Sequence, residues 1–150
     1  EVKEEVMTHD EFVGQVQARA RLGSRGAAET AIRATLETLA ERLEGGIADN
    51  IAAQLPQEIA HHLRADVPFT RMSLDEFFGR VHSREGEGVD RPEAVFHARA
   101  VIEVLQEVLS QGAVEKLRQQ LPAEFTPLFE AGSRGQMRTT DVGARPAPNR

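Results

Sequence analysis

The sequence predicts an all-α protein made of two tandem helical repeats of about four helices each. Residues 10–66 align with residues 75–132, allowing one extra residue near Gly88, and about 20 of the 57 positions are then identical, which indicates an internal repeat. Apolar residues in both repeats recur at the i, i+3 and i+4 spacing of a helix, and no segment shows the alternation of a strand. Residues typical of helix starts and turns separate these periodic segments.

We divide the chain into five segments. They are an N-terminal extension (1–7), a first repeat (8–66), a linker (67–72), a second repeat (73–131) and a basic tail (132–150) that its Gly, Pro and polar content predicts to be disordered. Each repeat is small for an independent domain. We therefore expect the two repeats to share one core as a bundle with pseudo-two-fold symmetry.

Composition excludes several classes of function. The chain contains no Cys, which rules out disulfides, a thiol nucleophile and a Cys-ligated zinc site. Its net charge is −6, and the tail alone carries +3, so residues 1–132 carry −9. A body this acidic repels a phosphate backbone, and the chain lacks Tyr and Trp for stacking on bases. The sequence therefore disfavours nucleic-acid binding.

The sequence also gives no sign of membrane insertion or export. No apolar run approaches the roughly 20 residues of a membrane span, and the N-terminal residues lack the layout of a signal peptide. We expect a cytoplasmic protein. The strong preference for Arg over Lys is typical of a GC-rich bacterial genome.

The first helix of each repeat begins with a predicted capping box. Thr8 is followed three residues later by Glu11, and Ser73 is followed in the same way by Glu76. A glycine lies inside each of these helices, where it costs about 0.5–1 kcal/mol relative to alanine. Because the glycine occurs in both repeats, we expect another backbone to approach closely. The two glycines are Gly14 and Gly79.

The second helix of each repeat is predicted to be the longest. Ser24 and Asp90 are the predicted N-caps, and Gly45-Gly46 and Gly112 are predicted to end these helices. Each helix carries one apolar stripe. The stripes are Ala28, Ile32, Thr35, Leu36, Leu39 and Leu43, and Ala94, Ala98, Val101, Ile102, Leu105 and Leu109.

A Gln-Leu-Pro corner joins the short third and fourth helices of each repeat. It occurs at residues 54–56 and again at residues 120–122, and proline suits the start of a new helix. Glu58 and Glu124 follow each corner, where a carboxylate can meet the free N–H groups of the helix that begins there.

The strongest chemical motif is Glu58-x-x-His61-His62. A Glu-x-x-His unit on a helix is used twice by di-iron bundles, together with two further Glu residues. Only one such unit occurs here, and the second repeat has Pro127 in place of the first histidine. Glu58, His61 and His62 are therefore weak candidates for a metal site, and solvated surface histidines are the favoured interpretation. No cofactor is predicted.

Other charged residues offer two interpretations. Glu93 and His97 have the spacing of an i, i+4 pair. Arg33 with Glu37 and Arg99 with Glu103 have the same spacing, extended by Glu41 and Glu107, and such rows are typical of a solvated helix face. Four arginines occur at matching places, where they either tie helices one and two together or form a surface for a partner. They are Arg19, Arg84, Arg25 and Arg91.

Three motifs resemble the bacterial family called domain of unknown function 2267. They are the repeated "DEF…G.V" start, the helix ending "LETLAERLEGG" and the "QLP.E" corner. The resemblance covers about residues 8–131 and implies an all-helical protein with a tandem repeat. It implies no catalytic residues, cofactor or substrate. In this family the link between helices one and two is compact, whereas "REGEGVD" in the second repeat is longer and acidic.

These observations favour a non-enzymatic module that binds a protein partner or itself. No G-x-S-x-G context surrounds any serine, and the histidines of one repeat are not kept in the other. The alternative is a protein that binds a small molecule or metal in a pocket between the repeats. A nucleic-acid-binding protein is the third interpretation.

Overall fold

A computed structural model describes residues 7–64 and 66–130, and this part of the chain is all helical without a strand, as predicted. Residues 1–6 and the predicted tail at 132–150 lie outside the described residues. The first-repeat helices are α1 (His9–Arg19), α2 (Arg25–Arg42), α3 (Ile47–Ala52) and α4 (Gln57–Ala60). The second-repeat helices are α5 (Leu74–Glu85), α6 (Arg91–Val108), α7 (Gln111–Gln120) and α8 (Thr126–Glu130).

Side-chain caps fix the starts of the first two helices in each repeat. The Thr8 hydroxyl accepts a hydrogen bond from the Glu11 amide at 3.1 Å, and the Thr8 amide donates to the Glu11 carboxylate at 2.9 Å. Ser73 and Glu76 form the same capping box at the start of α5. Ser24 caps α2, and Asp90 caps α6. These predictions are confirmed because each side chain satisfies an N–H group that the helix leaves free.

The predicted end of α6 at Gly112 is wrong. The helix ends at Val108, and Ser110 caps α7 by accepting a hydrogen bond from the Ala113 amide at 3.1 Å. Gly112 therefore lies in the first turn of α7. In the first repeat Gly45 does follow the end of α2, with a φ of 61° that glycine adopts easily.

The prediction that a backbone approaches the helix glycines is also wrong. A Cβ atom at Gly14 would meet nothing within 4 Å, and one at Gly79 would meet only the Arg91 guanidinium, at 3.3 Å. The glycine at position 79 therefore leaves space for a side chain from the next helix.

One hydrophobic core contains side chains from both repeats. All members of the two predicted stripes are buried, which confirms them. The Phe77 ring lies edge-on to Phe78 and Phe125, with centroids 6.0 and 5.9 Å away. Buried side chains of the first repeat, such as Phe12 and Leu39, belong to the same cluster. The chain segments on either side of the linker therefore do not have separate cores.

Packing between the repeats follows from how the first two helices of each are arranged. Helix α1 packs against α2 and also against α6, while α5 packs against α6 and also against α2. Helices α2 and α6 also contact each other. The linker is held to this core by a hydrogen bond from the Thr70 amide to the Glu41 carbonyl at 2.7 Å and by the buried Met72. In the described residues, every helix is too short or too polar to cross a membrane.

Candidate functional site

Two of the repeated arginines connect the first helix of one repeat to the second helix of the other. Arg84 on α5 donates to the Glu41 carboxylate at 2.5 Å and to the Thr38 hydroxyl at 2.7 Å, both on α2. Arg19 on α1 donates to both oxygens of Glu107 on α6 at 2.8 Å. Bidentate pairs of this kind are stronger than ordinary surface ion pairs.

The other two repeated arginines connect helices within a repeat. Arg25, at the start of α2, contacts the Asp10 carboxylate at 2.6 Å. Arg91, at the start of α6, contacts the Asp75 carboxylate at 2.7 Å. All four arginines thus have partners inside the chain, which favours the helix-tying interpretation. Their role as a surface for a protein partner stays a prediction.

The repeated glutamates form only part of the solvated row that the sequence predicts. The Arg33–Glu37 pair is present at 3.8 Å, but Glu41 faces Arg84 and Glu107 faces Arg19. Arg99 is only 2% exposed. The prediction holds for the half-exposed Arg33–Glu37 pair. It is wrong for Glu41, which lies against α5 of the other repeat, and for the buried Arg99. The sequence does contain a sign of these pairs, because both repeats keep an arginine on the first helix and an acidic row on the second.

The pKa values of Glu41 and Arg19 are shifted by these ion pairs. Burial of the Glu41 carboxyl raises its pKa, but the hydrogen bonds and charges of Arg84 and Arg80 outweigh burial and hold that pKa below its usual value. The hydrogen bond to Glu107 raises the pKa of Arg19. Both shifts favour the ionised pair, which is the behaviour of structural ion pairs.

Two histidines of the second repeat make internal hydrogen bonds. His82 Nε2 lies 2.8 Å from the Val89 carbonyl, within the link that is longer in this repeat. His97 Nδ1 lies 2.8 Å from the Glu85 carboxylate, and these side chains are only 8% and 2% exposed. The predicted Glu93–His97 pair is wrong, because Glu93 completes the capping box with Asp90.

Glu58, His61 and His62 gain no geometric support as a metal site. Among residues 7–64 and 66–130, no group of three His, Cys, Asp or Glu side chains could hold a metal ion. The His61 and His62 rings contact each other edge-on, with centroids 5.6 Å apart. Burial lowers the pKa of His62 below its usual value, which favours its neutral form.

Glu124 has a different partner from the one predicted. Its carboxylate accepts a hydrogen bond from the Leu74 amide at 3.4 Å, at the start of α5. The Glu124 carboxylate therefore contacts the start of α5, the first helix of its repeat, instead of the N–H groups of the helix that it begins. Glu58 lies in the corresponding place, in a hollow that also includes Thr8 and Asp10 at the start of α1.

A cleft of about 500 Å³ lies between the third helices of the two repeats. Its α3 side includes Ile47 and Ile51, and its α7 side includes Ala113 and Lys116. The Gln54 side chain connects the two sides by accepting a hydrogen bond from the Ser110 amide at 2.8 Å. The remaining lining residues are Asn50, Ala53 and Gly112. The sequence offers a pocket between the repeats only as an alternative and names none of these lining residues, because no spacing rule predicts that α3 and α7 meet.

The chemistry of the cleft is that of binding. Its lining combines apolar side chains with amides, one hydroxyl and one ammonium group, without a carboxylate or imidazole to act as a base. Ser110 is at the start of α7, where its hydroxyl is used as a cap. Such a lining suits an apolar segment with polar edges.

A comparison with protein families gives a match over most of the chain. The family model described as "Uncharacterized conserved protein (DUF2267)" matches residues 9–128, which include the linker and most of each predicted repeat. No curated protein matches the sequence.

Proposed function

Since the chain belongs to the DUF2267 family, whose model matches residues 9–128, we propose that it is a non-enzymatic protein-interaction module. Its binding site is the cleft between α3 and α7. The observation that carries this proposal is the lining of the cleft, which offers apolar contacts and amide hydrogen bonds but no acid–base or nucleophilic set.

The partner that suits this cleft is a short amphipathic segment of another protein. Its apolar side chains would pack on Ile47, Ile51 and Ala113, and the side chains of Asn50 and Gln54 would meet its polar edge. Lys116, one of only two lysines in the sequence, lies at the cleft in a chain of net charge −6. The segment is therefore expected to carry a carboxylate beside its apolar residues.

We also propose that the two repeats pack with pseudo-two-fold symmetry, which brings equivalent helices together at the cleft. The reciprocal pairs Arg84–Glu41 and Arg19–Glu107 support this arrangement, as does the contact between α3 and α7. The expected consequence is one cooperative unfolding transition, measured by urea denaturation at two spectroscopic probes. If residues 1–66 and 67–150 each unfold cooperatively when expressed alone, the shared core is wrong.

The absence of cysteine in the chain allows a direct test of the cleft. A photo-crosslinker attached to Ala53→Cys would lie at the cleft, and the same group on Ser83→Cys would lie on α5 as an exposed control. We expect a partner to be crosslinked in native-host extract from position 53 and not from position 83. Ala113→Arg, which fills the cleft, should abolish that product. Equal capture from both positions, or capture that survives Ala113→Arg, would contradict the proposal.

The second candidate, a small-molecule binding protein, is supported by the position of the cleft between the repeats. Native mass spectrometry distinguishes a small-molecule site from a site for a protein segment. A co-purifying mass that Ala113→Arg removes would favour a small ligand over a protein segment.

A further inference from the structure

Arg42, at the end of α2, is a buried arginine whose charge is not matched by an ion pair. The residue is 5% exposed, and its Nε donates to the Met72 carbonyl at 2.8 Å. No carboxylate among residues 7–64 and 66–130 forms an ion pair with it. Burying an arginine without a negative partner is costly, so such a group calls for an explanation.

Aromatic rings hold the Arg42 guanidinium in place. Its central carbon lies 5.5 Å from the centroid of the Phe69 ring and 5.3 Å from that of Phe125. With Nε fixed on a carbonyl, the two terminal nitrogens have no hydrogen-bond partner within the described part of the chain, and they are not fully enclosed. Two donors in the fork geometry that recognises oxyanions are therefore left without an acceptor in the described residues.

A second arginine lies beside the same ring. The Arg71 guanidinium is 5.9 Å from the Phe69 centroid, its side chain is exposed, and it too forms no ion pair within the described residues. Burial lowers the pKa of Arg42, and the nearby charge of Arg71 lowers it further, while Glu124 and Glu44 act in the opposite direction. The two arginines thus repel each other in the absence of an anion.

We propose that Arg42 and Arg71 form a binding site for an oxyanion, a carboxylate or phosphate group, beside the Phe69 ring. Arg42 is the fixed element, since its packing and its bond to Met72 have already removed most of its hydration and mobility. Arg71 is the mobile element, because its exposed side chain can turn toward an anion held by Arg42 and lose only its contact with Phe69. The anion removes the repulsion between the two charges.

The site belongs to the first repeat alone. The position equivalent to Arg42 in the second repeat is Val108, so repeat architecture does not require an arginine there. Phe69 is 36% exposed and forms part of a neighbouring hollow with Leu43, Leu63 and Val67. An apolar group attached to the oxyanion would therefore find contacts next to the charged pair.

The test uses the full chain and two defined probes, inorganic phosphate and acetate, titrated at constant ionic strength against chloride. The readout is the NMR signal of the Arg42 Nε–H group, which its hydrogen bond to Met72 protects from exchange. We expect a saturating shift with one or both anions. Saturation with phosphate alone identifies a phosphate site, and saturation with acetate identifies a carboxylate site.

Three variants make the result specific. Arg71→Gln should weaken the apparent affinity by about tenfold, since it removes a charged hydrogen-bond donor. Glu44→Gln should strengthen it by about twofold to threefold, since it removes an exposed repelling charge. Arg118→Gln is the matched control, because Arg118 also lies over a phenylalanine ring, 5.0 Å from Phe129, but is paired with Glu130.

A shift that does not saturate would overturn the proposal, because it would indicate general screening by salt. An equal affinity in the wild type and Arg71→Gln would overturn it as well. Arg71 is exposed, so its replacement leaves the core intact and the test does not depend on a variant that unfolds. Arg42→Met, which keeps the packing of the stem, should remove the saturable response.

Discussion

Helices α2 and α6 match each other in the alignment of the two predicted repeats but differ in the polar groups that they bury. Helix α2 buries Thr35, Thr38 and Arg42, whereas the matching residues of α6 are Val101, Val104 and Val108. The second repeat has its own buried polar pair, between α5 and α6. That pair is Glu85 with His97, where the first repeat has Ala20 and Ala31.

This difference separates the features that the two predicted repeats share from those that they do not. The caps, the ion pairs between repeats and the Gln-Leu-Pro corners occur twice, and all of them set how the helices are placed. The buried polar groups occur once each. Burying a polar group is costly unless its hydrogen bonds are satisfied. Substitutions at these positions therefore test how the two repeats differ in stability.

The largest effect is expected from breaking the Glu85–His97 pair. His97→Ala leaves a carboxyl that is 2% exposed without its partner, and we expect a loss of about 3 kcal/mol in the free energy of unfolding. The double variant Glu85→Ala/His97→Ala, which copies the first repeat, should recover part of that loss. Urea denaturation measures both.

The exposed Glu87→Ala is the control for this pair and should change stability by less than about 0.5 kcal/mol. The two side chains do not act as a pair if Glu85→Ala destabilises the His97→Ala variant as much as it destabilises the wild type.

An intermediate effect is expected at the reciprocal ion pairs. Arg84→Gln removes contacts with both Glu41 and Thr38, and we expect a loss of about 1–2 kcal/mol. Arg19→Gln, the equivalent change in the first repeat, should cost a similar amount. Arg80→Gln is the matched control, since Arg80 is more exposed and makes one contact with Glu41, at 3.1 Å. Chemical denaturation at low and high salt would show the larger loss for Arg84→Gln.

The Arg84 pair also predicts a dependence on pH. The folded pKa of Glu41 is lowered from its usual 4.5, so the pair contributes stability above that pH and loses it as pH falls through the folded pKa. The stability gap between wild type and Arg84→Gln should therefore be constant near neutral pH and narrow below about pH 4.5. A gap that widens in acid would contradict the role of the Glu41 charge.

The smallest effect is expected from making α2 resemble α6. The Thr35 hydroxyl is buried and has no hydrogen-bond partner within the described residues, so Thr35→Val should stabilise the protein by about 0.5–1 kcal/mol. Thr38→Val is the opposite control. Its hydroxyl donates to the Ala34 carbonyl and accepts from Arg84, so that variant should be destabilised. Thermal unfolding would separate the two, and equal effects would contradict this account.

Local rules predicted most of the helices but not their partners. Thr8, Ser73, Ser24 and Asp90 were predicted as caps because a cap depends on residues three positions apart. The end of α6 was misplaced because the glycine rule at Gly112 competed with the capping rule at Ser110, and the side-chain cap prevailed. Helical spacing predicts a solvent-facing row at Glu41 and Glu107 because spacing alone does not say what a helix face packs against.

The helical class, the internal sequence repeat, the core stripes and the family can all be predicted from the amino-acid sequence. These follow from periodicity and short-range hydrogen bonds, which need only neighbouring residues. Three features emerge only in the folded chain: Arg19 and Arg84 cross between the repeats, α3 and α7 enclose a cleft, and Arg42 lies beside two phenylalanine rings. Those features depend on helices distant in the chain meeting in one core, and the geometry of that meeting is set by packing as a whole.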